Sequence, residues 1–242
     1  MATETPLFFS GFQEYFTVNI ANTTVQKDLV YQLRYQVYCE EFQYIPAKNF
    51  LDKRETDEFD NYSLHCMVNH KNSGKTAACV RVVMPTTADD LLPFEKHCAK
   101  ALDSNLIAGL NLNRQIISEI CRVAVAADFR KRAGESASRF GDVLDFSDIE
   151  KRTCSLITVA AFFSAIALTE LTGRTNFFML LEPFLVKLMK SYGITLQQIG
   201  KEDNYHGIRA PYFLTTHAFL EAINPEVKLF YDWIKNQTGT PT

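Results

Sequence analysis

The chain has 242 residues, 47% of them hydrophobic and 12% aromatic, and a formal net charge of −3. This length suits one enlarged domain, and the composition supplies a full core, which excludes an intrinsically disordered chain. With no strong charge of either sign, bulk nucleic-acid binding is excluded and only a local basic patch could matter.

Residues 17–20 read as a short strand. Over 27–42, Leu29, Val30, Leu33, Val37 and Tyr38 recur at steps of three and four, which predicts an amphipathic helix. Residues 46–59 are polar and charged and read as a loop. Two β-rich runs, 62–68 and 76–83, flank Asn72-Ser73-Gly74 and predict an antiparallel hairpin. A loop at 85–93, a short helix at 94–102 and a strand at 118–125 follow. From 129 to 152, cations, acids and small residues mix without period, as in a surface insertion. The apolar run 154–168 is shorter than the roughly 20 residues a bilayer needs and predicts a buried core helix, with Gly173 as its stop. A strand at 176–181, a helix at 183–192, a strand at 194–199, a loop at 205–211, a short strand at 212–214 and a helix at 225–237 complete the order. Hairpin-joined strands followed by βα units define an α/β fold, a mixed central sheet flanked by helices. No GxGxxG follows a strand and no Walker loop is present, which argues against a Rossmann or P-loop domain.

The six cysteines, at 39, 66, 79, 98, 121 and 154, form no CxxC pair and show no zinc-ligand spacing. They read as free buried thiols of a reducing compartment, and no metal is expected. Glu4 and the lack of a basic leader segment argue against a signal peptide, so a cytoplasmic protein is expected.

Three clusters place polarity on otherwise apolar elements: 33–41, 55–60, and Glu119-Ile120-Cys121-Arg122 with Arg81 on the preceding strand. Arg34 is followed four residues later by Tyr38. Asp57 and Asp60 stand three apart before the first hairpin strand, and Arg81 closes the second. Phe94 lies in the next loop region, and Glu119 and Arg122 stand three apart on the next strand. In order and spacing this set resembles the acyl-homoserine-lactone (autoinducer) synthases and the long-chain N-acyl amino acid synthases of the GNAT acyltransferase superfamily, over roughly residues 25–130. The C-terminal half, with the runs Leu181 to Gly193, Ile199-Gly200 and Tyr205-His206-Gly207-Ile208-Arg209-Ala210-Pro211, is similar to the N-acyl amino acid synthases, especially the exosortase-associated acyltransferases.

The resemblance implies a GNAT (acyl-CoA N-acyltransferase-like) fold, a single domain over 1–242 with a surface insertion near 130–152. It implies transfer of a long-chain fatty acyl group from an acyl carrier protein thioester to the amino group of an amino acid, in the bacterial cytoplasm. No cofactor is tightly bound; the carrier's phosphopantetheine thioester, or acyl-CoA, is a co-substrate. The Gly-rich pyrophosphate loop usual in GNAT enzymes is not recognisable, and the nearest segment, Arg130-Lys131-Arg132-Ala133-Gly134, favours a carrier arm over coenzyme A. Glu119, Arg81 and Arg122 are the expected catalytic group. Arg34, Tyr38, Asp57, Asp60 and Phe94 are the expected substrate-binding and loop network. Phe162, Phe163 and Phe178 are candidates for the acyl pocket, and Arg130, Lys131 and Arg132 for docking an acidic carrier protein.

Amide formation from a thioester needs a neutral amine, a polarised carbonyl and the two held together. Glu119 is the candidate base, because burial can tune a carboxylate on a core strand. In this fold a backbone N–H at a bulged strand polarises the carbonyl. Regular alternation puts Glu119, Cys121 and Val123 on one face and Arg122 on the other. Either a bulge intervenes or Arg122 has a different task, pairing with Asp57 or Asp60 to pin the loop, with Arg34 and Arg81 completing an ion network. Each residue also has a plainer reading: Arg34 as a surface partner of Glu40 and Glu41, Asp57 and Asp60 as solvated acids, Glu119 as an edge-strand residue. His65 and His70 read as solvated or satisfied histidines, and His206 as a lesser site candidate. Two other functions compete: a homoserine-lactone synthase consuming S-adenosylmethionine, and a non-catalytic acyl- or carrier-binding module, which would need no base.

Overall fold

The computed structural model describes residues 9, 11–87, 89–130 and 153–239. Eight strands form its sheet: β1 (Phe16–Ile20), β2 (Ser63–His70), β3 (Thr76–Val83), β4 (Ile117–Val125), β5 (Asn176–Leu181), β6 (Gln197–Gln198), β7 (Asp203–Asn204) and β8 (Ile208–Thr215). Their order is β1-β2-β3-β4-β5-β8-β6, with β7 paired to β8. Only β4 and β5 run parallel; every other pair is antiparallel. The α-helices are α1 (Phe12–Tyr15), α2 (Thr24–Tyr35), α3 (Pro93–His97), α4 (Ser104–Leu110), α5 (Ala127–Arg130), α6 (Ile157–Leu171), α7 (Pro183–Ser191), α8 (Thr216–Ala222) and α9 (Pro225–Thr238).

Ladder partners share a face of a sheet, so the register separates its two sides. On one side Ile120, Met179 and Val82 pack with Phe162, Phe163 and Ile166 of α6 in the main core. Helix α6 is apolar all round because α8 and α9 cover it from behind: Phe163 meets Phe219 of α8 and Tyr231 of α9, with ring centroids 5.3 Å and 5.9 Å away. On the other side two smaller clusters form, one under α2 with Val30, Leu33 and Ala124, the other under α3 with Phe94, Phe178 and Phe213. Helix α2 opens on a capping box, Thr23 with Gln26, and passes into a π-helix at Gln36–Glu41. Such wide turns recur at functional sites.

Two irregularities of β4 shape the centre of the sheet. Pairing with β5 runs from Ile117↔Asn176 to Ile120↔Met179 and stops, while β4 continues to Val125 against β3, so the strands part as a V. Against β3 the register jumps from Arg81↔Cys121 to Cys79↔Ala124, so Arg122 and Val123 stand opposite Val80 alone. This bulge places Arg122 in the left-handed region, φ 51°. Val123 therefore packs with the α6 core, not on the Glu119 face that regular alternation assigns it.

Most expected elements form, and the exceptions have local causes. The helix expected over 27–42 starts earlier, at the Thr23 cap, and ends as the π-turn. The helix expected over 94–102 breaks after His97 into the 3-10 turn Ala99–Ala101. The strand expected over 194–199 is reduced to Gln197–Gln198, because it pairs only with the edge of β8. Helices α4 and α8 were not expected; their N-caps are Asp103 and Thr215. The insertion expected near 130–152 lies outside the described residues apart from Arg130.

Close packing at the α3–β8 junction gives a test of this arrangement. Lys201 N–H donates to the Ala101 carbonyl at 2.7 Å, and a Cβ built on Gly200 would collide with that oxygen and lie 2.7 Å from Pro211 Cγ. Gly200→Ala is expected to lower stability by about 1–3 kcal/mol. The check is a lower urea midpoint at unchanged denaturant slope.

Candidate active site

Arg34, Glu55, Arg122, Asp57, Arg81 and Asp60 close a ring of alternating charge. Arg34 Nε donates to Glu55 Oε2 at 2.5 Å, and its two terminal nitrogens hold Asp60 at 2.7 Å and 3.1 Å. Glu55 Oε1 accepts from Arg122 Nε at 3.2 Å, and Arg122 Nη2 donates to Asp57 Oδ2 at 3.0 Å. Arg81 Nη1 completes the circuit, 2.5 Å from Asp57 Oδ1 and 2.9 Å from Asp60 Oδ1. Arg34 and Arg81 are fully buried and Glu55 nearly so, whereas Asp57 and Arg122 are 16% and 17% exposed, and Arg122 lines the cavity. The acidic loop is fixed before it meets the ring: Asp57 caps the 3-10 turn Glu58–Tyr62, and Glu55 N–H donates to the Tyr31 carbonyl of α2.

These contacts set the protonation states. Burial alone would raise the pKa of Asp60, but the Arg34 and Arg81 guanidiniums overcome it and hold the carboxyl well below the usual range. Asp57 is likewise lowered, against burial, by Arg81 and Arg122. His65, opposite Arg81 on β2, is driven down to about 3 by burial and by Arg34, so it is neutral. Its Nε2 lies 3.5 Å from Asp60.

Glu119 lies beside the ring but outside it. It is 2% exposed, and its Oε2 accepts the Phe94 N–H at 2.8 Å. Burial raises its pKa to about 8; the Phe94 N–H, Arg81 and Arg122 only partly oppose this. Cys121, next on the same face, accepts from Arg81 Nε at 3.4 Å, and burial pushes its thiol up to about 11, which makes it no nucleophile at neutral pH.

A cavity of about 860 Å³ passes through the V between β4 and β5. On the Glu119 face it is bounded by His97, Tyr205, His206 and Arg209; on the α6 face by Ile120, Thr158, Phe162 and Leu185. The volume is within the ordinary range for small-molecule sites. Tyr38 donates to the Val123 carbonyl at 2.8 Å, and Arg122 lies over its ring at 5.8 Å, so the π-turn of the first helix holds the bulge of β4.

The structure thus gathers Arg34, Tyr38, Asp57, Asp60, Arg81, Phe94, Glu119 and Arg122 around one site. Arg34 is not a surface partner of Glu40 and Glu41, because its side chain is wholly buried against the acidic loop. The bulge resolves the alternation conflict by turning Arg122 onto the Glu119 face. Of the acyl-pocket candidates only Phe162 reaches the cavity. Phe163 points into the core between α6, α8 and α9, and Phe178 stacks on Phe94 with centroids 4.6 Å apart. Arg130 lines the cavity, pairs with Glu41 and donates from Nε to the Val125 carbonyl at 2.8 Å; Lys131 and Arg132 lie outside the described residues. Sequence reasoning assigned no site role to Glu55, although it shares the acidic segment with Asp57, nor to His97, nor to Tyr205 and Arg209, which it met only within the 205–211 segment of the resemblance; the fold brings the last three to the cavity. Among the described residues no group of His, Cys, Asp and Glu could hold a metal ion.

The splayed mixed sheet has the fold of the GNAT acyltransferases. Residues 33–138, which include every residue of the ring and Glu119, match the family described as acetyltransferase (GNAT) domain. No curated protein matches the sequence. Among solved structures, the acyl-homoserine-lactone synthase LasI is similar with a TM-score of 0.55 and 16% identity, over 87% of this chain and 97% of that one. FeeM, an N-acyl amino acid synthase from uncultured soil microbes, gives 0.57 and 11%, over 88% and 97%. BjaI, a CoA-dependent acyl-homoserine lactone synthase solved with SAM and isopentyl-CoA, gives 0.57 and 14%, over 94% and 91%. At these identities the likeness is one of fold.

Two outcomes are expected. Arg122→Ala leaves Glu55 and Asp57 each one guanidinium short and should cost about 3 kcal/mol, the lower end for a broken buried pair because Arg122 is partly exposed; unchanged chemical stability would count against the ring. Glu119 has a folded pKa of about 8, above the usual unfolded carboxylate value. The stability linked to its proton is therefore full below roughly pH 4 and is lost as pH rises through 8. Glu119→Gln should melt near the wild-type temperature at low pH and several degrees above it at alkaline pH, read by calorimetry across that range.

Proposed function

We propose that this chain is an N-acyltransferase that moves a long-chain fatty acyl group from the phosphopantetheine thioester of an acyl carrier protein to the amino group of an amino acid. The observation that carries the reading is the division of one cavity by the sheet, with an apolar chamber against α6 and a buried carboxylate on the opposite face. An acyl chain on the α6 side gains about 0.8 kcal/mol for each methylene removed from water.

On this reading the thioester carbonyl occupies the V beyond Ile120, where β4 has left β5 and its freed N–H edge can polarise the carbonyl oxygen. The acceptor's ammonium gives a proton to Glu119 through Oε1, since Oε2 is held by Phe94 N–H. The neutral nitrogen attacks the carbonyl carbon, the C–S bond breaks, and the leaving pantetheine sulfur takes up the second proton, which the acylated nitrogen sheds to become the amide. A carboxylate with a pKa near 8 is well matched to an amine's proton. The ring holds the β4 bulge and the acidic loop in place, so Arg81 and Arg122 act by position. A carrier arm is favoured over coenzyme A because the segment Arg130-Lys131-Arg132-Ala133-Gly134 has one glycine where a pyrophosphate cradle would have several. The setting is the bacterial cytoplasm; among the described residues no helix is long and apolar enough to cross a membrane.

A second reading, acyl-homoserine-lactone synthesis from S-adenosylmethionine, is favoured by the fold shared with LasI and BjaI. The sequence after residue 180 argues for the amino-acid acceptor. The test is mass spectrometry of lipids from a host expressing wild type or Glu119→Gln. Species at the mass of a fatty acyl group plus an amino acid are expected with the wild type. Turnover of the variant should fall roughly 10²–10⁴-fold, the usual weight of a general base. In vitro, kcat/KM should climb with pH towards the Glu119 pKa. Acyl homoserine lactones in place of acyl amino acids would select the second reading.

A further inference from the structure

The sheet register carries the Glu119 face beyond the reaction centre. Glu119 pairs with Phe178 and Phe178 with Phe213, so alternation along β8 puts Phe213, Pro211 and Arg209 on that same face. Arg209 lines the cavity there, on the open side of the V. Four residues of strand separate its level from that of Glu119, about 13 Å. The long arginine side chain and an amino acid hydrogen-bonded at both ends divide that distance between them.

Three arginines line the cavity, and two have both Nε and Nη2 committed to neighbours. Arg122 spends Nε and Nη2 on the ring, and Arg130 spends Nε on the Val125 carbonyl and Nη2 on Glu41. Arg209 gives Nη2 to Glu182 at 2.8 Å, while its buried Nε has no acceptor among the described residues. A buried donor without an acceptor is costly, and a ligand oxygen would remove that cost. The guanidinium is also held in place before any ligand arrives, lying over the Tyr44 ring at 5.6 Å with Glu182 on its edge. A fixed planar fork is the geometry that recognises a carboxylate by two parallel hydrogen bonds.

We propose that Arg209 anchors the carboxylate of the acceptor, setting its amine towards Glu119 and restricting the acceptor to amines that carry an anionic oxygen pair. This rests on the acyltransferase reading above and adds to it the residue that selects the acceptor class. A phosphate of the donor arm has the same anionic chemistry, so the test separates the two.

The full-length protein is titrated by thermal shift with a panel of L-amino acids, each beside its α-amide, which keeps the amine and side chain and removes the charge. At least one amino acid should raise the melting temperature of the wild type while its amide does not. Arg209→Met should lose the response and Arg209→Lys should keep part of it. In the acyl-transfer assay Arg209→Met should raise the acceptor KM roughly ten- to hundred-fold, as for a lost charge-assisted hydrogen bond. The donor KM and saturated kcat should stay near wild type. The proposal is overturned if no amino acid shifts the wild type, if acid and amide act alike, if Arg209→Met responds as wild type does, or if the donor KM moves instead, which gives the fork to a phosphate. The acid–amide comparison on wild type needs no variant, so a poorly folding Arg209→Met leaves the proposal testable. The binding arm also needs no turnover. Acid-selective binding that depends on Arg209, with no acyl amino acid formed, would keep the carboxylate site and reject the acyltransferase reading.

Discussion

Three guanidiniums and three carboxylates, each bonded to two neighbours of opposite sign, hold this site together. They come from α2, the acidic loop, β3 and the bulge of β4, segments that share no local structure. Burying such charges is expensive and their mutual attraction roughly offsets it, so the ring is better understood as fixing one geometry than as adding stability. It also accounts for what lies beside it. Because Arg81 and Arg122 already serve Asp57, Asp60 and Glu55, Glu119 is buried close to cations without being paired to one. Its carboxyl consequently holds its proton into the mildly alkaline range.

The bulge is where this constraint meets the sheet. One extra residue in β4 turns Arg122 to the Glu119 side, and the Tyr38 hydroxyl and the ring hold it there in a backbone conformation arginine seldom adopts. Just before the bulge, β4 stops pairing with β5, and each continues with its other neighbour. The gap needs no inserted loop: two strands end their partnership early, and side chains from both faces line what opens between them.

Much of this was legible in the sequence, and the parts that were not share a cause. Period and turn chemistry marked the hairpin and the apolar helix, because their backbone hydrogen bonds close within one segment, and β5 showed as a short apolar run. The ring members could be picked out as Arg34, Asp57, Asp60, Arg81 and Arg122 only through their joint resemblance to a family, since each alone reads as a surface charge. Glu55 escaped notice because nothing local distinguishes it from Glu58, which is exposed and paired to Lys96. Phe163 and Phe178 could not be told from Phe162 by sequence: adjacent or equally apolar positions point to opposite sides of a helix or sheet, and only the packed structure says which side holds the cavity. Tyr205 and Arg209 reach the site by the return of the chain through β7 and β8, a connection with no period to read.

The cavity's passage through the sheet has a topological consequence. A molecule occupying both chambers is threaded through the gap like a cord through an eyelet, with strands on either side of it. Sideways it is blocked by β4 and β5 themselves, so it leaves lengthwise, one end first, or through the open mouth of the V.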